Sequence, residues 1–475
     1  MPLRNLSIIV LAAIVSLGCY LRASRNRYVD TITEAMNIIS DEYVDDVDQR
    51  KLFEGAMDGM VSQLDEYSGY HPPEEYEQFR EDIDQQIVGI GVFVEFNAEQ
   101  KKLVVVAPLV GTPAFESGVK PGDTIVSIDG VNTSEMTLNQ ATNKIKGRAG
   151  TSVQLELLHA GEPTPVKLDI MRASIAIDSV LGDLRGADGK WTFRLSESPR
   201  IGYIRVNSFG ERTVDELHSA LASFRQSGQE VEGLILDLRG NEGGLLDAAV
   251  EVCDMFLDEG LIVRTVGRNN LSRDEAIASR GVEISPQLPM VVMVDRFSAS
   301  ASEIVAACLQ DHKRAVVIGQ RSWGKGTVQN VIRMEGGRSA IRLTIARYLR
   351  PSGKNIHKQQ GAKDSDDWGV RPNEGEELIL TQEEYERFRR NRNQRDSLTS
   401  SGKLAWPGAP KSAAQTDNSS SPPVPPMPPS PDGETGSATA APPTGESALD
   451  DDAQLRKAVE ELLKKIEGEG TPRRA

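Results

Sequence analysis

Residues 234–245 read Leu-Ile-Leu-Asp-Leu-Arg-Gly-Asn-Glu-Gly-Gly-Leu. An apolar strand runs into a polar, glycine-rich turn that opens a helical segment, Leu245–Leu257. A strand apolar on both faces belongs inside a parallel sheet. Its carboxyl end, where the turn leads into a helix, is where such sheets place ligands. A tight turn with no ligand is the plainer alternative. The same alternation recurs on both sides. Strands are expected at Ile201–Val206, Gly233–Leu238, Leu261–Thr265, Met290–Val294 and Ala315–Ile318, and helices at Thr213–Gln226, Leu245–Leu257 and Ser302–Leu309. Residues 175–396 therefore predict an α/β core with largely parallel strands.

Residues 86–174 carry strand signals instead. These are the β-branched run Val88–Val94, Leu103–Val106, Ser152–Leu158 and Pro165–Ile170, with turns at Pro121-Gly122-Asp123 and Asp129-Gly130 and one helix at Leu138–Ile145. They predict a small α+β barrel. Residues 28–85 have helical spacing throughout (Ile32, Met36, Ile39, then Leu52, Met57, Met60, Leu64), with a further helix starting at Pro72-Pro73. Residues 397–448 are rich in Pro, Ser and Ala and predict a disordered spacer. Residues 449–475 predict a docking helix, with Leu455, Val459, Leu462 and Ile466 on one face. The fold class is thus multi-domain α/β.

The chain has 475 residues, enough for about three domains, and a formal charge of -16. That charge argues against a general nucleic-acid binder, which needs a clustered basic surface. A mean hydropathy of -0.36 excludes a polytopic membrane protein. Three cysteines and five histidines without His-Glu-x-x-His spacing argue against a disulfide scaffold and a zinc site, so no metal or cofactor is expected. The one long apolar run, Leu6–Leu21, is flanked by Arg4 and by Arg22, Arg25 and Arg27. Residues 1–27 are expected to be a membrane anchor or signal peptide. Cys19, after Ser16-Leu17-Gly18, also permits a lipoprotein. Arginine-rich residues after the run oppose export by the positive-inside tendency, but an exported or membrane-tethered chain is the expectation.

Phe297-Ser298-Ala299-Ser300-Ala301-Ser302-Glu303 lies at a strand-to-helix junction. Small residues there allow a sharp turn with an exposed hydroxyl, and the helix N-terminus offers N–H groups to an oxyanion. The plainer reading is a cap, with Ser302 as N-cap. Gly319–Thr327 resembles a phosphate loop shifted by one residue. Gly326 stands where a magnesium-binding hydroxyl is needed, and the β-branched segment after it reads as a strand rather than a helix. Lys325, between two glycines, could serve as a general base once desolvated. A serine and a neutral lysine suffice for acyl transfer. His312 beside Asp311 makes a poor triad, because adjacent helical residues diverge.

Together these segments resemble the C-terminal processing peptidases, the PDZ-containing Ser-Lys proteases also called tail-specific proteases. The strings that carry the resemblance include Tyr43-Val44-Asp45, Gly89-Ile90-Gly91, Pro121-Gly122-Asp123, Leu236-Asp237-Leu238-Arg239, Ser298–Ile304 and Gly324–Gln329. The resemblance implies a PDZ domain over 86–174 and a protease core over 175–396. It makes Ser300 the nucleophile, Lys325 the base 25 positions on, and Gln329 the residue orienting that lysine. It implies oxyanion donors at the backbone of Ala301 and of Gly243 or Gly244, and a supporting role for Asp311. Gly89-Ile90-Gly91-Val92 would bind the terminal carboxylate of a substrate chain. Three positions depart from the pattern: Glu242 replaces the usual Pro, Lys146 replaces a common Arg, and the spacer before the last helix is unusual. The expected partners are polypeptides with accessible C-termini. A homo-oligomer is compatible with the sequence. The rival readings are an inactive PDZ scaffold at the membrane and a nucleotide-binding protein using residues 319–327.

Overall fold

The computed structural model describes residues 27–97, 101–109, 111–185, 190–226, 230–397 and 448–469. The apolar run Leu6–Leu21, Cys19 and nearly all of the expected spacer lie outside these residues. Among the described residues no helix is long and apolar enough to cross a membrane. The chain divides into two units. One comprises residues up to Tyr76 together with Asn330–Thr344, and the other holds Glu77–Gln329 and the remainder from Ile345.

The first unit contains helices Arg27–Glu42 and Gln49–Val61 and a short strand, Gly69–His71. That strand lies in a segment whose sequence reads as helical throughout. It exists because residues 340–342 pair with it antiparallel, Tyr70 opposite Ile341. Arg50 and the Tyr70 hydroxyl both bond the Glu335 carboxylate, at 2.5–3.0 Å.

The second unit begins with the module expected to be a PDZ domain. Strands Val92–Asn97, Lys102–Pro108, Thr124–Ile128, Ser152–Leu158 and Val166–Met171 follow one another across an antiparallel sheet, with Val92–Asn97 at one edge. Alternate residues Leu103, Val105, Ile125, Val153, Leu155 and Leu157 are buried under helix Leu138–Ile145. The Val88–Val94 run is not one strand. Gly91 turns at φ +79° and the Ile90 carbonyl accepts the Ala114 N–H, so the run splits into Gln86–Gly89 and Val92–Asn97. Gln86–Gly89 pairs instead with Ala173–Ala176, and this two-stranded stalk carries the chain into and out of the module.

The α/β core is present. Strands Ser198–Val206, Gly233–Asp237, Met290–Val294 and Val316–Gly319 are parallel neighbours in that order. Their alternation sets two faces. Ile204, Val206, Leu234, Leu236, Val292 and Val294 pack with helices Thr213–Gln226, Leu246–Asp254 and Ala301–Asp311. Ile201, Tyr203, Ile235, Val291 and Met293 pack against Leu455, Ala458, Val459 and Leu462 of the terminal helix. Because the strands are parallel, the loops after all four emerge at the same end of the sheet.

The terminal segment is two helices, Ala448–Asp451 and Ala453–Glu469, broken at Asp452. The Asp452 side chain accepts the Leu455 N–H at 2.9 Å and pairs with both terminal nitrogens of buried Arg239 at 2.8 and 2.9 Å. Arg239 also grips Asp237, to which Tyr203 donates at 2.8 Å. Burial pushes the Asp237 carboxyl up, but the charge and hydrogen bonds of Arg239 outweigh it and hold it below the usual range. Removing Asp452 leaves Arg239 paired with Asp237 but strips its guanidinium of two buried hydrogen bonds, and at about 1.5–3 kcal/mol for each bond to a charged group the loss is about 3 kcal/mol or more. Asp452→Ala is therefore expected to lower the unfolding free energy by that amount in a denaturant titration. A loss below about 1 kcal/mol, the size of an exposed pair, would show that the contact does not hold the helix.

Candidate active site

Four loops at the carboxyl end of the parallel sheet build one site. The loop after Met290–Val294 turns on Asp295, whose carboxylate accepts N–H groups from Gly240, Phe297 and Ser298. It ends at Ser300, which opens helix Ala301–Asp311 with φ 55° and ψ −114°. A non-glycine residue in that region carries strain of about 1–3 kcal/mol. The strain is held by stitching on both sides. The Ala299 N–H and the Ser302 hydroxyl both donate to the Asn241 carbonyl, and the Ser298 hydroxyl donates to the Leu238 carbonyl.

This stitching separates the three serines. Ser298 and Ser302 are fully buried with hydroxyls committed to backbone. The Ser302 hydroxyl does not cap the helix. Ser300 is half-exposed, and its Oγ lies 2.8 Å from the Tyr348 hydroxyl.

The loop after Gly233–Asp237 brings the two glycines alongside. A Cβ on Gly243 would lie 2.8 Å from the Ser300 Cβ and 3.0 Å from the Ala301 nitrogen, so only glycine fits. Gly243 donates its own N–H to Asn241 Oδ1 at 2.8 Å. Gly244 pairs with Phe209 of the loop after Ser198–Val206, at a spacing where a Cβ would meet the Phe209 oxygen at 2.1 Å. Among the described residues, neither the Gly244 nor the Ala301 N–H has an acceptor.

The loop after Val316–Gly319 carries Lys325. Its flanking glycines admit a neighbouring segment. A Cβ on Gly326 would lie 2.3 Å from the His357 nitrogen, and one on Gly324 2.7 Å from the Lys358 Cβ. The loop is not a phosphate cradle. The N–H groups of Gln320, Ser322, Trp323, Gly324 and Lys325 are all donated within the protein, and strand Thr327–Met334 follows instead of a helix.

Glu303 joins the two loops. Its fully buried carboxylate accepts the Ser300 N–H (2.9 Å) and the Lys325 N–H (2.8 Å) on one oxygen. The other oxygen accepts the Gly324 N–H (2.7 Å) and the Ser322 hydroxyl (2.5 Å). The sequence assigned Glu303 no role of its own within Phe297–Glu303. The signal that marks it is its setting, a lone charge in a helix whose residues 301–309 are otherwise uncharged and all buried. Tyr348 was missed as well and carries no such signal.

The remaining expected residues are more dispersed. Gln329 donates to Thr327 Oγ1 at 2.8 Å on the strand after the lysine. Asp311 sits at the far end of the Ser300 helix, about 16 Å along its axis. It pairs there with Arg350 at 2.6 and 2.9 Å, two residues beyond Tyr348. In the PDZ-like module, Ile90 is fully buried. The Gly91 carbonyl accepts the Leu109 N–H and the Thr112 hydroxyl, and Val92 begins the edge strand. Cys253 and Cys308, on adjacent helices, are free and buried.

Burial pushes the Glu303 carboxyl up to about 7, against the opposing pull of its four donors. The folded protein thus retains a proton that the unfolded chain releases near 4.5. Stability tied to the protonated form is present below that value and is lost as pH rises through 7, by about 3 kcal/mol in total. The unfolding free energy of wild type should fall over this window relative to Glu303→Gln. A pH-independent difference between the two would show that the carboxyl titrates normally.

Known proteins match along the same segments. Peptidase family S41 matches residues 200–373, the N-terminal domain of the activating protease CtpB residues 21–74, and a PDZ domain residues 104–158. The carboxy-terminal-processing protease of Bartonella bacilliformis is 38% identical over 319 residues, 66% of this chain and 69% of that protein. Carboxy-terminal processing protease CtpB of Bacillus subtilis is 34% identical over 338 residues, 71% of this chain and 67% of that protein. A solved photosystem II D1 C-terminal processing protease shares 28% identity, covering 74% of this chain and 92% of that one, with a TM-score of 0.40. Agreement in the helical, PDZ and core segments alike places the chain among the carboxy-terminal processing proteases, serine peptidases of family S41.

Proposed function

We propose that the chain is an endopeptidase with a Ser300–Lys325 dyad, which takes polypeptide C-termini through its PDZ domain and cleaves by way of an acyl-enzyme. The observation that carries this reading is the shared Glu303 oxygen, which ties the backbone of Ser300 to that of Lys325. In the first step a neutral Lys325 Nζ takes the Ser300 Oγ proton as Oγ adds to the scissile carbonyl. The N–H groups of Ala301 and Gly244 receive the developing oxyanion, the Gly243 N–H being held by Asn241. Lys325 then passes the proton to the leaving amine, and water releases the acyl group by the reverse sequence. Gln329 orients the lysine. The substrate tail adds to the edge strand Val92–Asn97, with its carboxylate at Gly89-Ile90-Gly91-Val92. Residues 1–27 tether the chain to a membrane on its extracytoplasmic side.

An unstructured reporter with an apolar C-terminus should be degraded, equally in the presence of chelator. Ser300→Ala and Lys325→Ala should each reduce the rate by about 10³-fold or more, the scale on which nucleophile–base pairs act. An unchanged rate in either variant would falsify the dyad. If wild type neither cleaves nor reacts with a serine-directed acylating probe, the inactive scaffold is the correct reading. For the tether, the full chain should sediment with membranes and resist a high-salt wash, and a chain lacking residues 1–27 should remain in the supernatant. Full-length chain in the supernatant would reject the anchor.

A further inference from the structure

Gln85 stands where helix Pro73–Asp84 ends and the stalk to the PDZ domain begins. It is a polar residue with only 3% of its surface exposed, and its backbone is held at φ 52°. Its carbonyl accepts the Ile177 N–H at 3.0 Å, closing the base of the stalk where the chain leaves the domain. Its side chain enters the core loop that follows strand Ser198–Val206. Oε1 accepts the Arg212 N–H at 2.9 Å, and Nε2 donates to Thr213 Oγ1 at 3.1 Å and reaches Ser208 Oγ at 3.4 Å. The loop is shaped to receive it. A Cβ on Gly210 would lie 2.4 Å from the Gln85 Cδ. Fully buried Thr213 draws the loop together, accepting the Gly210 N–H and donating to the Ser208 carbonyl.

The same loop continues directly into the active site. Phe209 donates its N–H to the Gly243 carbonyl at 2.9 Å and accepts the Leu245 N–H at 2.7 Å, bracketing Gly244. Gly243 in turn abuts Ser300. One buried side chain therefore sits between the base of the stalk and the peptide segment that would present the Gly244 N–H.

We propose that Gln85 is a positioning residue through which the stalk bearing the PDZ domain sets the Gly243–Gly244 turn. This rests on the reading of Ser300 as nucleophile. The balanced steps of the reaction are unchanged. What Gln85 controls is whether the oxyanion donor is in place when Ser300 attacks.

The experiment uses the full chain and a small fluorophosphonate probe, whose phosphorus bonds to the serine oxygen with loss of fluoride and without engaging the PDZ domain, alongside peptide cleavage. Gln85→Ala should be phosphonylated about tenfold more slowly, equivalent to about 1.4 kcal/mol of barrier, while every chain still labels in the end. Its kcat should fall by the same factor with KM unchanged within about twofold. Gly210→Ala, which pushes a methyl group against Gln85 from the core side, should reproduce the effect. Wild-type labelling rates in both variants would overturn the proposal. So would a wild-type rate constant with a smaller labelled fraction, since a simple folding defect removes active chains without slowing those that remain. Ser300→Ala is the control: labelling at the wild-type rate there defeats the reading of Ser300, whatever Gln85 does.

Discussion

A buried carboxylate held by four hydrogen-bond donors organises the active end of this protease. Glu303 sits where water cannot reach, and burial of an ionised acid is costly unless donors replace the lost hydration. Four protein donors do so, and they come from two separate loops. The strained backbone of Ser300 and the glycine-flanked segment of Lys325 are therefore not independent. Each supplies part of the solvation that the other needs, so displacing one loop strips donors from the acid and releases the other. Networks of this kind act as a unit, because a half-satisfied buried group costs more than an absent one.

The parallel sheet makes such a convergence available. Four adjacent strands run the same way, so the loops after them open side by side. The first brings Phe209, the second Gly243 and Gly244, the third Ser300 and the fourth Lys325. None of these residues is close to all the others in sequence, yet each needs only a few residues of loop to arrive. Antiparallel strands would have sent alternate loops to opposite ends.

This also explains which features were legible in the sequence. Apolar strands such as Met290–Val294 announce themselves by composition, and helix Leu138–Ile145 was placed within its bounds. The serine and lysine segments were recognisable because small residues and glycines cluster where the backbone must turn sharply or approach a neighbour. What stayed hidden depends on partners far along the chain. Gly69–His71 is a strand only because residues 340–342 lie beside it. Tyr348 and Gln85 are single polar residues with no local pattern. The break at Asp452 has a local sign, since its carboxylate caps the second helix through the Leu455 N–H, but its pairing with Arg239 does not. The continuous strand expected at Val88–Val94 failed for a local reason that could be read, since Gly91 is the residue that turns it.

The contact between Arg239 and Asp452 spans 213 residues. A ribosome adding about 5–20 residues per second needs roughly 10–40 s to cover that interval. For all that time Tyr203 and Ile235, joined partway by Val291 and Met293, have no helix to cover them, and one face of the sheet remains an apolar surface in water. Ser300 and Lys325 are synthesised well before that face is sealed. Birth order thus leaves one face of the sheet open until residues 453–469 arrive, so completion of the whole core waits on the terminal helix.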